Sequence, residues 1–217
     1  LKKPTFSAAA LCCLVCVSAT AQNGQFFVDG GIGRASYGLY VSQSDSDKTD
    51  WANSIRAGYM WHGVVDYGLE LGYADLGQDV NRFVYTHITG SDYIRYSRAA
   101  NSWLLGARLE YVVHSWYLMA RGGWNRPHIT EEGADWALTS GYPWNSVPTS
   151  GYSHSQQSFN TGTHGYYGLG VGYCISPHWR AGLNYDYYDL GSMFSAPGYS
   201  EPSSHVKTYT VSVQYRL

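Results

Sequence analysis

The chain has 217 residues, enough for one barrel or sandwich domain or two small ones. Lys and Arg number 14 against 16 Asp and Glu, and charged residues make up only 14% of the chain, which gives a nucleic-acid partner no electrostatic footing. Aromatics reach 16%, led by 21 Tyr and 8 Trp, and there are 25 Gly. A soluble core does not need so many Tyr and Trp, whereas a membrane–water boundary does, because each ring has an apolar edge and a wet one.

Residues 1–21 read as a secretory signal peptide. Lys2 and Lys3 supply the positive start, Phe6 to Val17 the apolar stretch and Ala19-Thr20-Ala21 the small-residue cleavage site. Cleavage after Ala21 leaves residues 22–217 as one domain. The apolar run is short for a retained membrane span. Cys12, Cys13 and Cys16 lie inside the signal, and Val15 before Cys16 is too large for a lipoprotein site. Cys174 is then the single cysteine of the mature chain, so no intrachain disulfide is expected. Past the signal no run of 18 apolar residues occurs, and a membrane-spanning mature chain must cross by strands.

Alternation of period two supplies those strands. The first, roughly Phe26 to Tyr37, is the least regular. From Ser54, Ile55, Ala57, Tyr59 and Trp61 share one face, with Ser54, Arg56, Gly58 and Met60 on the other. Tyr67, Leu69, Leu71 and Tyr73 alternate with Gly68, Glu70, Gly72 and Ala74. Trp103, Leu105, Ala107, Leu109 and Tyr111 lie opposite Leu104, Gly106, Arg108 and Glu110. Trp116, Leu118, Ala120, Gly122 and Trp124 lie opposite Tyr117, Met119, Arg121 and Gly123. The pattern returns at Tyr167–Tyr173 and Trp179–Tyr187 and closes at Tyr209–Leu217.

Eight segments of about ten residues match the length of a tilted strand crossing a bilayer. One face carries rings and aliphatics with almost no charge, and the other carries Gly, small polar residues and a few Arg, Glu and Asp. A soluble sandwich would fill its outer face with Lys and Glu. The fold class expected is all-β, an eight-stranded antiparallel up-and-down transmembrane β-barrel with a narrow polar lumen. Short turns at His62–Asp66, Val112–Ser115 and Ile175–His178 alternate with long polar connections. The latter run over Leu39–Asn53, Gly77–Ala100, Asn125–His164 and Gly191–His205. Trp61, Tyr67, Tyr111, Trp116, Tyr173 and Trp179 flank the short turns as a girdle should.

With these segments in view, Gly58-Tyr59 through Leu69-Glu70-Leu71-Gly72-Tyr73-Ala74-Asp75-Leu76-Gly77 resembles the second hairpin of the OmpA-like membrane-domain family. Leu105-Gly106-Ala107-Arg108-Leu109-Glu110-Tyr111 and Ala120-Arg121-Gly122-Gly123-Trp124 are similar to its next hairpin, and Tyr187-Tyr188-Asp189-Leu190-Gly191 repeats a Tyr-x-Asp-Leu-Gly ending. The alternating C-terminal run resembles the signal read by the barrel-assembly machinery, although it ends in Leu217 where that family usually has Phe. The likeness covers residues 26–217 and implies a bacterial outer-membrane location, with outer-membrane lipids and lipopolysaccharide around the barrel. No peptidoglycan-binding domain is expected.

The resemblance also implies a plug of lumenal carboxylates and basic groups. Glu70, Arg108 and Arg121 match members on the third, fourth and fifth strands. Gly172 and Gly182 stand where the family has an acidic and a basic residue, and Arg180 and Asp186 are neighbouring substitutes. Buried charges must pair, so Glu70, Glu110 and Asp186 are expected to meet Arg56, Arg108, Arg121 or Arg180.

No catalytic site, metal site or cofactor is expected. The one adjacent Ser–His pair, His154-Ser155, lies in the longest connection, and the eight His fall in loops and turns without chelating spacing. Gly30-Gly31-Ile32-Gly33 looks like a phosphate loop, but no helix follows it, so close packing explains it better. The functional surface is placed on the loops. Trp136, Tyr142, Trp144, Tyr152 and Phe159 stand among Gly, Ser and Pro, the composition of an adaptable surface for a host or surface ligand. The expected role is envelope-structural or adhesive, the first alternative a small porin-like channel and the second a lipid A-modifying enzyme.

Overall fold

In the computed structural model the alternating segments are strands, and no helix occurs among the described residues, which are 24–38, 45–47, 49–87, 90–139, 153–191, 195–196, 199–200 and 204–217. The elements in chain order are β1 (Gly24–Gly38), β2 (Asp45–Asp47), β3 (Thr49–Trp61), β4 (Asp66–His87), β5 (Gly90–Val113) and β6 (Trp116–Thr139). They continue with β7 (Ser153–Asn160), β8 (His164–Cys174), β9 (Trp179–Gly191), β10 (Ser195–Ala196), β11 (Tyr199–Ser200) and β12 (Ser204–Arg216).

Eight of them close an antiparallel up-and-down barrel in which β1, β3, β4, β5, β6, β8, β9 and β12 each pair with their neighbours. The seam is β1 against β12, from Phe27↔Arg216 to Gly38↔His205. Closure satisfies the backbone by strand pairing alone, which a bilayer demands. Outward positions are apolar and exposed, including Leu71, Leu105, Leu118, Leu169, Leu183 and Val211. Between the aromatic girdles, the described outward positions carry no Asp, Glu, Lys or Arg. At the short-turn end the rings touch. Trp61 stacks on Tyr67 at 5.5 Å, Trp116 meets Tyr173 at 5.4 Å, and Trp179 meets Tyr215 at 4.8 Å.

The turns at this end are built locally. His114 takes φ 60° in the two-residue connection between β5 and β6, the positive value that hairpin turns of this length require. Between β8 and β9, Ser176 Oγ accepts the N–H groups of His178 and Trp179, while the Ile175 and Ser176 N–H groups donate to the Trp179 carbonyl.

At the opposite end two expectations need correction. Residues 77–100 form no open loop, because β4 and β5 stay paired from Gln78↔Ala99 to His87↔Gly90. A bulge between Asp75 and Gln78, with Gly77 at φ 72°, re-aims β4 at the point where it leaves the membrane. Likewise β6 continues to Thr139 and takes β7 as a new partner from His128↔Asn160 to Asp135↔Ser153. The result is an extracellular sheet of β4, β5, β6 and β7, with β2 at its edge. The histidines do not all sit in loops either: His128 lies within β6, His164 opens β8 and His205 lies in β12. Alternation hid these strands because neither face of residues 78–87 or 90–99 is consistently apolar in sequence.

The lumen is not uniformly polar. Its long-loop end is closed by a buried apolar layer of Leu76, Leu104, Ile129, Leu190 and Val206 with Tyr37 and several alanines. The Tyr37 hydroxyl reaches the carbonyls of Gly77 at 2.8 Å and Leu76 at 3.1 Å.

Candidate functional site: the lumen and the extracellular sheet

Below that apolar layer, five arginines and five carboxylates face inward. They are Arg56, Arg108, Arg121, Arg180 and Arg216 with Asp29, Asp66, Glu70, Glu110 and Asp186, and each is at most 9% exposed. Strand alternation puts them there, since each sits one residue away from an outward apolar neighbour.

Near the short turns the hub is Glu110. Its Oε1 accepts Arg108 Nε at 2.7 Å and its Oε2 accepts Arg180 Nη1 at 2.6 Å and Arg216 Nη2. Arg216 Nη1 also lies 3.3 Å from Asp66 Oδ2. One step up, Arg108 Nη1 reaches Asp29 at 3.3 Å and Glu70 at 3.9 Å, and Arg56 Nη1 reaches Glu70 at 3.3 Å. Arg121 grips Asp186 with two parallel bonds of 2.7 Å, from Nε and Nη2, the fork geometry that fixes both partners. Tyr166 donates to Glu70 at 2.8 Å, and Arg56 Nη2 donates to the Tyr188 hydroxyl at 2.7 Å. Rings also back the guanidinium groups, with Arg108 over Phe27 at 4.9 Å and Arg180 over Tyr117 at 5.5 Å.

The structure thus brings together all seven residues read from the sequence: Arg56, Glu70, Arg108, Glu110, Arg121, Arg180 and Asp186. Sequence reasoning missed Asp29, Asp66 and Arg216. Asp29 and Arg216 stand on inward positions of the irregular first strand and of the last strand, and parity counted across the β1–β12 seam would have found both. Gly172 and Gly182 have a packing reason. A Cβ on Gly172 would lie 2.5 Å from the Tyr117 ring, and one on Gly182 would lie 2.4 Å from its hydroxyl. The buried Tyr117 side chain fills the space that charged residues would otherwise take.

Of the five aromatic residues assigned to the loop surface, Tyr142, Trp144 and Tyr152 lie outside the described residues. Trp136 lies on β6, where its backbone pairs with Tyr93, and Phe159 lies on β7 opposite Ile129. Arg34, Arg82, Arg95 and Arg126 are exposed on the outer face at or above the girdle. Arg82 stands directly opposite Arg95 in the β4–β5 ladder. Among the described residues no cluster of His, Cys, Asp or Glu could hold a metal ion.

Among solved structures, Ail, the attachment invasion locus protein of Yersinia pestis, crystallised with the heparin analogue sucrose octasulfate, is 14% identical at a TM-score of 0.52, covering 90% of this chain and 99% of Ail. OprG of Pseudomonas aeruginosa is 12% identical at a TM-score of 0.45, covering 90% of this chain and 96% of OprG. The N-terminal β-barrel domain of Pseudomonas aeruginosa OprF is 12% identical at 0.41, with 89% and 99% covered. Identities this low speak for the fold alone. No curated protein matches the chain by sequence. The model of the outer membrane protein beta-barrel domain family matches residues 8–216. The chain therefore belongs to that family, and its place is the bacterial outer membrane.

Proposed function

We propose that this barrel is a surface-binding protein of the outer membrane, adhesive or envelope-protecting, that works through its extracellular sheet. The observation that carries this reading is the extension of β4, β5 and β6 past the outer girdle. Ten ladder pairs of β4 and β5 stand beyond the bulge, on the order of 30 Å of paired strand. A barrel that only sealed the membrane would need none of it. Exposed Arg34, Arg82, Arg95 and Arg126 favour an anionic surface ligand, and a barrel of the same fold, Ail, has been crystallised with a heparin analogue. Removal of residues 136–152, which include Trp136, Tyr142, Trp144 and Tyr152, tests the reading. Cells expressing the trimmed barrel should lose binding to host-cell or heparin-coated surfaces while the protein still inserts. Full binding after the deletion would sink this placement of the surface.

The porin-like alternative is disfavoured by the same geometry. Eight strands leave an interior about wide enough for side chains to fill, and here paired charges fill it under the layer of Leu76, Leu104 and Ile129. Planar-bilayer recordings should show no steady conductance, and a large stable open channel would reverse the ranking.

A further inference from the structure

We infer that the outer face of this barrel carries a serine-hydrolase site, Ser158–His128–Asn160, that takes the acyl esters of outer-leaflet lipids as substrate. The three side chains come from two paired strands. Asn160 of β7 stands opposite His128 of β6, and Ser158 stands opposite Thr130. Asn160 Oδ1 lies 3.1 Å from His128 Nδ1, and Ser158 Oγ lies 2.9 Å from His128 Nε2.

These contacts accommodate the proton arrangement that acyl transfer uses. With the Asn160 amide oxygen toward it, Nδ1 of His128 carries the hydrogen, and Nε2 is left as an acceptor. The Ser158 hydroxyl hydrogen points to Nε2. In the same arrangement Thr130 Oγ1, 3.1 Å from Ser158 Oγ, donates to it. Nucleophile, base and orienting group stand in the order that acyl transfer requires, with the base in the working tautomer.

The location selects the substrate. On the outward face of β6, His128 follows Arg126, which pairs with the girdle residue Trp103. One alternation further along the strand is about 7 Å, so the site stands at the level where lipid headgroups join their acyl chains. Its side chains stand on the outward face of the strands and not in the lumen. Arg126 is exposed on the same face, within reach of a headgroup phosphate. Past Asn160, residues 161–163 leave both ladders, with Gly162 at φ 109°, before pairing resumes at His164.

The reaction balances with water as the second substrate. Ser158 Oγ adds to the ester carbonyl carbon as Nε2 takes its proton. The C–O bond to the lipid alcohol then breaks, and the alcohol leaves with that proton. Water, deprotonated by the same nitrogen, releases the fatty acid and restores Ser158.

The test uses the full chain refolded in detergent micelles, with phosphatidylethanolamine in one arm and lipopolysaccharide in the other. The wild-type barrel should release fatty acid from at least one of them, and the arm that responds names the lipid. It should also bond covalently to a fluorophosphonate probe. Ser158→Ala should abolish release and labelling, and His128→Ala should cost about 10²–10⁴-fold in kcat. Asn160 is a positioning residue, so Asn160→Ala should lower kcat with KM unchanged, and Asn160→Asp should restore part of it. Heat-modifiable gel mobility shows that each variant is folded. No release from either lipid by the folded wild type, or release undiminished in Ser158→Ala, would overturn the assignment. Both outcomes are independent of the surface-binding reading, because removal of residues 136–152 leaves these three residues in place.

Discussion

The barrel wall and the extracellular sheet are made of the same strands, yet they obey different rules. Within the membrane, β5 sets Leu105 and Leu109 against lipid and buries Leu104, Arg108 and Glu110 in the lumen. Thirteen residues earlier the same strand exposes Arg95 directly across from Arg82, a like-charged pair that no buried face would hold. Lipid on one side and a narrow lumen on the other enforce a strict division of side chains. Beyond the wall no such division holds, for Asp79 and Asn81 are buried while Arg82 and Arg95 are exposed. Stability should therefore be concentrated in the lumen, and sequence freedom in the sheet.

The largest expected loss is at Glu110. Glu110→Ala leaves Arg108, Arg180 and Arg216 without their shared carboxylate, and breaking a buried ion pair costs about 3–5 kcal/mol. Arg108 keeps Asp29 and Arg216 keeps Asp66 while Arg180 loses its carboxylate, so the upper end of that range is expected in urea unfolding from lipid vesicles. Arg121→Ala should follow within the same range of about 3–5 kcal/mol, because it leaves Asp186 only its longer, 3.7 Å contact with Arg56. Unfolding midpoints equal to wild type would remove either residue from the network that holds the barrel together.

The apolar layer gives a third rung. Leu104 is 1% exposed at the centre of that layer, and Leu104→Ala should cost about 3 kcal/mol through lost contacts and a residual cavity. The same substitution sharpens the comparison in a second way. If this layer seals the mouth of the barrel, Leu104→Ser should raise ion leak in planar bilayers, whereas substitutions in the projecting sheet should leave it unchanged.

The same physical division explains what was legible from sequence. Eight spans, their parity and the short turns could be read because lipid forces alternation, as Tyr67-Gly68-Leu69-Glu70-Leu71 shows. Most inward charges followed from parity on the clean strands, although Arg216 at the end of the last one went unassigned. They were lost where alternation was not clean, so Asp29 on the irregular first strand went unread. The extracellular strands were invisible for the opposite reason. Gln78 to His87 and Gly90 to Ala99 have no apolar face to betray them, and only their pairing shows them to be strands. Ser158, His128 and Asn160 escaped notice because His128 is 30 and 32 residues from the other two in sequence and is brought to them by the β6–β7 register alone.

The smallest effects belong to the sheet, and they test its independence most sharply. Arg98 Nε lies 2.6 Å from Glu131 Oε1, with both side chains partly exposed. With 19% and 18% of the side chains exposed the pair is half-sheltered, so Arg98→Ala should cost less than the loss of a lumenal pair. Replacing residues 82–95 by a two-residue turn goes further, since it removes the tip of the β4–β5 hairpin entirely. The barrel does not need that tip for closure, because β4 and β5 already pair from Asp66↔Glu110 to Asp75↔Asn101 below the bulge. Loop-closure entropy changes by only about 0.6 kcal/mol per doubling of length, and a shorter connection changes it in the favourable direction. The trimmed protein should therefore insert, keep its heat-modifiable mobility and unfold within about 0.5 kcal/mol of wild type, the usual range for exposed changes. A trimmed barrel that fails to assemble would show that the sheet is part of the folding unit, and the division between wall and sheet would then be wrong.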